Sequence, residues 1–406
     1  MNKIAVIGAG ITGITSAYAL AKRGFEVTVY EKNRYPAIGT SYANGGQLSA
    51  SNAEVWNNWN TIIHGLKWVT KSDAPLLINM KPNFHKLNWF LEFVSNISNY
   101  AINTENTARM AISARKILFD WANEEKISFD LEKRGILHIY RNKDSFDHAS
   151  KVSQLLARGG LDRRAVTPEE MKSIEPTLQG KFYGGFFTDS DASGDIHKYT
   201  VGLAQACQRL GVEIEFNQSV HAVENINSSV IINSVKDGML EKVPFDGIVI
   251  CAGIESRRLA ASLGDRVNIY PVKGFSITLP LLDENSQLKA PMVSLLDDET
   301  KIVASRFGND RFRVAGTAEF NGNNKDIRHD RIKPLIEWVH TGFPDVNTSH
   351  AIPWAGLRPM MPNMMPSVFK GRMPNVFYNT GHGHLGWTLS AFTAELLASI
   401  VQSKTS

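Results

Sequence analysis

Gly8-Ala9-Gly10-Ile11-Thr12-Gly13 follows directly on the run Lys3-Ile4-Ala5-Val6-Ile7 and leads into apolar residues at Ile14, Ala17, Tyr18 and Ala21. The order is a buried strand, a glycine-rich turn and a helix closed by Gly24. Three glycines at this spacing do different work: Gly8 permits the tight turn, Gly10 lets a pyrophosphate approach the backbone, and Gly13 lets the helix pack close to the strand. The free N–H groups at the helix start, around Ile11 and Thr12, would hold phosphate oxygens with the help of the helix dipole. A second strand, Glu26 to Tyr30, ends at Glu31, eighteen residues beyond Gly13 and followed by Lys32. That carboxylate is placed to accept hydrogen bonds from ribose hydroxyls. The plain alternative, a glycine-rich turn with no ligand, does not explain the acid at the end of the second strand.

Gly39-Thr40-Ser41-Tyr42-Ala43-Asn44-Gly45-Gly46-Gln47 is a small-residue loop that favours neither helix nor strand. Ala43, Gly45 and Gly46 would let backbone lie against a flat ring system, to which Ser41, Asn44 and Gln47 offer hydrogen bonds. This favours a flavin dinucleotide over a nicotinamide one. Phe245 to Gly253 reads as another buried strand running into a small-residue turn, so Ala252 and Gly253 are candidate contacts to the same ligand. A third turn, Gly381-His382-Gly383-His384-Leu385-Gly386, opens a closing helix with Ala391, Ala394, Leu397 and Val401 on one face. It is a second element able to stabilise negative charge.

The intervening segments must hold these turns together. Residues 56–100 are aromatic-rich (Trp56, Trp59, Trp68, Phe84, Trp89, Phe90, Phe93), with helical spacing in Leu87, Phe90, Leu91 and Val94. They read as a helical cap packed over the site. The alternative is a membrane-surface patch, with Lys67, Lys71, Lys81 and Lys86 beside the rings. Helices are expected over 104–126 and around Tyr199, Leu203, Ala206, Cys207 and Leu210; strands are expected at 136–140, 213–216, 219–223, 311–316 and 376–378.

The 406 residues imply two domains. A net charge of +4, from 44 Lys+Arg against 40 Asp+Glu, gives no footing for nucleic acid. Two cysteines, Cys207 and Cys251, without CxxC spacing argue against a zinc cluster or a disulfide framework and for a reducing, cytoplasmic setting. No run of about 18 apolar residues is present, and Thr12, Thr15, Lys22 and Arg23 interrupt what could pass for a signal peptide.

Five ordered stretches resemble the D-amino-acid dehydrogenase (small subunit) family, within the D-amino-acid oxidase and glycine oxidase group. They are Gly8–Gly13, Thr40–Gln47, Tyr270-Pro271-Val272-Lys273-Gly274-Phe275-Ser276, Gly356-Leu357-Arg358-Pro359-Met360-Met361-Pro362 and Gly381–Thr388. Weaker likeness covers Asp73-Ala74-Pro75-Leu76 and Gly194-Asp195. The resemblance implies an α/β (α+β) fold in which a Rossmann-like FAD-binding domain (1–60, 190–265 and 350–406) is interleaved with a mostly antiparallel β substrate or cap domain (61–189 and 266–349). It further implies that Gly8, Gly10, Gly13 and Glu31 hold the ADP half of FAD, with Val220 beside the adenine. Ser41, Ala43, Gly45, Gly46 and Gln47 would line the ribityl chain and the ring, and Gly383, Leu385, Gly386 and Trp387 the pyrimidine edge.

On the same grounds Arg358 would grip the substrate carboxylate, with Tyr270, Lys273, His382 and His384 as tuning candidates; His384 stands where relatives carry a hydroxyl residue. The flavin loop carries Tyr42 and no His or Cys, so FAD is expected to be non-covalent. The implied reaction passes hydride from Cα of a small D-amino acid to flavin N5, giving a 2-oxo acid and ammonia, with electrons going to a quinone-type acceptor and peripheral contact at the inner face of the cell membrane. N–H groups near Gly386 and Trp387 would meet the charge developing on the ring. An oxygen-using oxidase, a proline or hydroxyproline dehydrogenase and a flavin-binding protein without turnover are the rivals.

Overall fold

The computed structural model describes residues 2–68, 74–226 and 229–403. Lys3–Ile7 is a central strand of a six-stranded sheet, with Gly247–Ile250 and Glu26–Tyr30 parallel on either side. Val376–Thr380 and then the antiparallel Ser367–Lys370 extend one edge, and Glu213–Glu215 the other. Ile4, Ala5, Val6 and Ile7 are all buried, because both faces of a parallel sheet are covered. On one face Val6, Val29 and Val249 pack against Ile14, Leu203 and Leu397, from helices Ile11–Ala21, Ile196–Arg209 and Gly386–Gln402. On the other, Ala5, Ile7 and Ile248 meet Val223, Ile232 and Phe245 of a three-stranded antiparallel layer, Gln218–Ile226, Ser229–Lys236 and Met239–Phe245.

The expected single strand from Phe245 to Gly253 is two strands in different layers. Asp246 sits at the change of direction, its carboxylate accepting from the backbone N–H groups of Asn2 (2.7 Å) and Lys3 (2.9 Å). Asp246-Gly247 is the sequence signal for this corner, a turn-type pair interrupting the apolar residues on either side.

The second sheet orders Ile352–Met360, Tyr270–Pro280, Arg311–Phe320, Ile302–Phe307, Ser294–Asp297, Ile136–Tyr140, Gly184–Thr188 and Arg164–Val166, with Leu76–Ile78 paired to Arg311–Phe320. Its pairings are antiparallel apart from Ser294–Asp297 with Ile136–Tyr140 and the short Leu76–Ile78. The boundary expected at 350 falls too early. Ile352–Met360 belongs to this second sheet, with Arg358 opposite Val272. Helix Tyr100–Glu124, expected within the cap, packs instead against the FAD-side core through Leu118, Trp121 and Ala122.

Helices Trp59–Trp68 and Phe84–Ser95 form the cap. The second turns a different face inward from the one its spacing suggested. Trp89 and Phe93 are buried, whereas Phe84 (85%), Leu87 (58%), Leu91 (63%) and Val94 (43%) lie exposed. His85, Asn88, Glu92 and Ser95 share one narrow face and the apolar arc that fills the rest is wide, so periodicity cannot say which part of that arc is in. Asp73, Lys71 and the side chains of Lys67 and Trp68 lie outside the described residues.

Candidate active site

A cavity of about 1570 Å³ runs along the carboxyl ends of the parallel strands and beneath the second sheet, where open α/β sheets bind ligands. Of the site residues expected from sequence, all but Gly13, Tyr270 and Lys273 line it. At the dinucleotide end Gly8 adopts φ +104°, and a Cβ there would press on the Cys251 carbonyl at 2.8 Å. A Cβ on Gly13 would overlap the Gly8 carbonyl oxygen, so Gly13 acts by packing, behind the wall. A Cβ on Gly10 would meet nothing nearer than Ser41 Oγ at 3.5 Å; this glycine leaves space towards the ligand, not towards the protein.

The helix that starts at Ile11 follows Gly10, which has no side chain to cap it. One of its N–H groups is already engaged: Ile11 donates to Ser41 Oγ at 3.1 Å, which ties the flavin-type loop to the phosphate turn. Glu31 is buried at the strand end, where its carboxylate accepts from the N–H groups of Ala9 (2.8 Å) and Asn33 (2.9 Å). Those bonds fix it facing the cavity and leave lone pairs for ribose hydroxyls. Val220, Ala252 and Gly253 complete this end.

In the middle of the cavity the loop is braced from behind. Asn44 Oδ1 accepts from Gly46 N at 2.9 Å, and Gln47 Nε2 donates to the Leu295 carbonyl at 2.9 Å. Gly45 abuts Val303 and Gly46, at φ +75°, abuts Phe307; a Cβ at either would overlap these side chains of the second sheet. Opposite stands the uncapped start of helix Gly386–Gln402, whose first residues Gly386, Trp387 and Thr388 all line the cavity. The Trp387 indole itself is buried among Tyr199 and Phe129, with Nε1 donating to the Gly46 carbonyl at 3.4 Å. Its backbone is what the cavity can use. The residues present therefore fit FAD: an open phosphate turn, a ribose carboxylate, a small-residue loop and a helix N-terminus follow one another along one wall.

Arg358 lies next along the wall. Its Nη1 donates to the Thr317 carbonyl at 2.9 Å, and among the described residues no carboxylate pairs with it. Burial pushes its pKa down to about 10. Gly274 makes the slot, since a Cβ there would overlap the guanidinium. Thr317 is itself left-handed at φ +57°, a rare conformation for a β-branched residue, beside a bulge that shifts the register of its strand. His384 stacks on Trp56 (centroids 4.8 Å apart), and burial with the nearby Arg358 charge lowers its pKa to about 3. His382 is buried, bonded through Nε2 to Thr393 Oγ1 at 2.9 Å, and burial lowers its pKa to about 3 as well. Both imidazoles are neutral at physiological pH.

Two expectations about the substrate end are corrected. Tyr270 is buried behind the wall, stacked on Phe320 with centroids 5.6 Å apart. Lys273 is wholly buried, paired to Glu319 at 3.2 Å and donating to Asn324 Oδ1 at 2.7 Å. Strand alternation that turns Gly274 to the cavity turns its neighbour away. Sequence reading placed Trp56 in the cap over the site, where it lines the cavity, but missed Glu54, His148, Asp298, Lys301 and Thr317, which line it too. They come from separate segments, and no local motif marks them.

A family described as FAD dependent oxidoreductase (DAO) matches residues 3–400. D-amino acid dehydrogenase 3 of Mesorhizobium japonicum is 59% identical over 401 residues, 99% of this chain and 97% of that one. A D-amino acid dehydrogenase of Paramagnetospirillum magneticum is 39% identical over 411 residues, covering 100% and 96%. Among solved structures, glycine oxidase from Bacillus cereus superposes with a TM-score of 0.74 at 20% identity, covering 100% of this chain and 96% of that one. L-proline dehydrogenase from P. horikoshii gives 0.76 at 15% identity, covering 99% and 94%; these two likenesses speak to fold. With the dinucleotide wall, the loop and the match running together from one end to the other, the chain belongs to the FAD-dependent oxidoreductase (DAO) family.

Proposed function

We propose that this chain is an FAD-dependent D-amino-acid dehydrogenase in which Arg358 clamps the substrate α-carboxylate. The observation that carries the reading is the Arg358 guanidinium itself: it lines the cavity, is held in place by one carbonyl and has no anionic partner among the described residues. An unpaired cation in a partly dry wall is costly unless a ligand supplies the anion. D-configuration follows the names of the two relatives. FAD, when bound, supplies the acceptor for the Cα hydride.

The protein's share is position and field. Two parallel N–H···O bonds from Arg358 fix the carboxylate in plane and so limit where Cα can lie. The start of helix Gly386–Gln402 meets negative charge with unspent N–H groups. Neutral His384 adds no positive charge beside the substrate amine, which must be uncharged to react. The product imine hydrolyses to a 2-oxo acid and ammonia. A non-covalent flavin agrees with Tyr42 in the loop and with His382 and His384 being engaged by Thr393 and Trp56. The anaerobic addition of a D-amino acid should bleach the flavin absorbance, and the L-enantiomer should not; bleaching by both, or by neither, refutes this reading.

The acceptor we propose is a quinone-type molecule reached at the surface of a membrane. No helix among the described residues is long and apolar enough to cross one. The ridge Phe84, Leu87, Leu91 and Val94 is exposed, and the same helix lines the cavity through Trp89, Phe90, Phe93 and Val94. Lys81 lies exposed just ahead of this helix, while Arg266 beside it is paired with Glu92; the positive charge of Lys81 suits an anionic lipid surface. Reduced enzyme should reoxidise fast with a soluble quinone analogue and slowly in air. It should sediment with vesicles containing phosphatidylglycerol, and Leu87→Asp/Leu91→Asp should abolish that. Fast peroxide formation would make the protein an oxidase instead.

A further inference from the structure

Beyond Arg358 the cavity continues into a recess that none of these steps uses. It is bounded by Glu54, by the start of helix Lys143–Arg158, and by the turn that carries Asp298 and Lys301. Ile302 pairs with Gly316, so Lys301 lies across from Thr317, whose carbonyl holds Arg358. Adjacent strands are about 4.8 Å apart. The side chain of a substrate anchored at Arg358 is therefore within a few bonds of this recess.

The recess offers hydrogen bonds of both senses. Lys301 Nζ donates to Asp298 Oδ1 at 2.6 Å, and its side chain remains 54% exposed, with further N–H bonds to give. Asp298 is satisfied, because its other oxygen accepts from Tyr140 Oη at 2.8 Å, and the Tyr140 hydroxyl in turn accepts from Arg163 Nη2 at 2.9 Å. Glu54 Oε1 accepts from Tyr100 Oη at 2.6 Å and faces His148 Nε2 at 3.4 Å. Its Oε2 has no partner among the described residues. A donor and an acceptor of opposite charge thus line one small space without being joined to each other.

We propose that this recess is a side-chain subsite for amino acids ending in a carboxamide, whose N–H₂ donates to Glu54 and whose carbonyl accepts from Lys301. A carboxamide carries both senses and no net charge. An ammonium end would meet Lys301, a carboxylate end would meet Glu54, and an apolar end would leave both groups unpaired on desolvation. Sites built to hydrogen-bond a substrate group discriminate strongly against analogues lacking it. The proposal rests on the Arg358 pose described above.

The test compares kcat/KM of the FAD-loaded enzyme for D-glutamine, D-methionine, D-glutamate, D-lysine and D-alanine. D-Glutamine should exceed the other three long substrates by at least tenfold, mainly through KM. Lys301→Met and Glu54→Leu should each erase that advantage while changing D-alanine, which does not reach the recess, by less than threefold. An independent readout is competitive inhibition by two unreactive carboxylates: 4-carbamoylbutanoate should bind at least tenfold tighter than hexanoate, and the Lys301→Met substitution should abolish the gap. If either substitution prevents folding, Lys301→Ala and Glu54→Ala, which likewise remove the donor and the acceptor, serve the same comparison. A glutamine-to-methionine ratio near one, or a ratio untouched by the substitutions, overturns the subsite. Loss of D-alanine turnover in Arg358→Met tests the clamp separately, so the two readings fail independently.

Discussion

Replacing Arg358 by Met removes the guanidinium while keeping much of the side-chain volume. In the native wall Arg358 makes one hydrogen bond, to the Thr317 carbonyl, and has its remaining N–H groups unspent. A carboxylate would take two of them in parallel, each a hydrogen bond to a charged group worth about 1.5–3 kcal/mol in a partly desolvated site. Together that is about 3–6 kcal/mol, and each 1.4 kcal/mol is about a factor of ten. Steady-state kinetics should show kcat/KM for a D-amino acid falling roughly a hundredfold to ten-thousandfold, while FAD stays bound because no part of its wall is touched. Arg358→Lys should recover only part, since a point charge cannot hold both oxygens in plane. An amino-acid amide never uses the clamp, so its much slower turnover should scarcely change. Equal losses for amino acid and amide would refute the reasoning and make Arg358 a structural residue.

Gly10→Ala should weaken FAD binding yet leave the thermal stability of the apoprotein unchanged, whereas Gly13→Ala should destabilise the apoprotein too; calorimetry with a flavin titration separates the two. The contrast rests on what each Cβ would meet, cavity in the first case and the Gly8 carbonyl in the second. His382 is held neutral with a pKa of about 3 against an ordinary 6.5, so between those values the unfolded chain binds a proton that the folded chain does not. Its contribution to stability is therefore complete above about pH 6.5 and declines as pH falls, by up to about 1.4 kcal/mol per pH unit; His382→Gln should flatten that slope in pH-dependent denaturant melts. Cys207 and Cys251 are buried, and burial raises both thiols, the second to about 12. A thiol reagent should label neither until the protein is unfolded.

The dinucleotide wall was legible because its signals are local. Strand, glycines, helix and Glu31 fall within one short stretch, and each constraint acts on its neighbours. What was hidden depends on partners far along the chain. Nothing in Ile352–Met360 says that it pairs with Tyr270–Pro280, so a domain boundary drawn at 350 was natural and early. Lys273 read as a site residue because it sits in a family-like motif, yet strand alternation turns it towards Glu319. Helix Phe84–Ser95 has an apolar arc too wide to orient it, and only the surrounding fold decides that Trp89 goes in and Leu91 stays out. The recess around Glu54 and Lys301 has no signal at all, since it exists only once three separate segments have been folded together.

The contact of Gly45 and Gly46 with Val303 and Phe307 limits how this architecture can be recombined. The loop follows the parallel sheet along the chain, but the space it occupies is cut by side chains of the second sheet. A substrate sheet transplanted from another flavoenzyme would fit only if its residues at these two places were no bulkier than valine and phenylalanine, or if the loop changed in step. In chimeras, then, a mismatch at this joint should appear first as weak flavin retention, before any change in the choice of substrate.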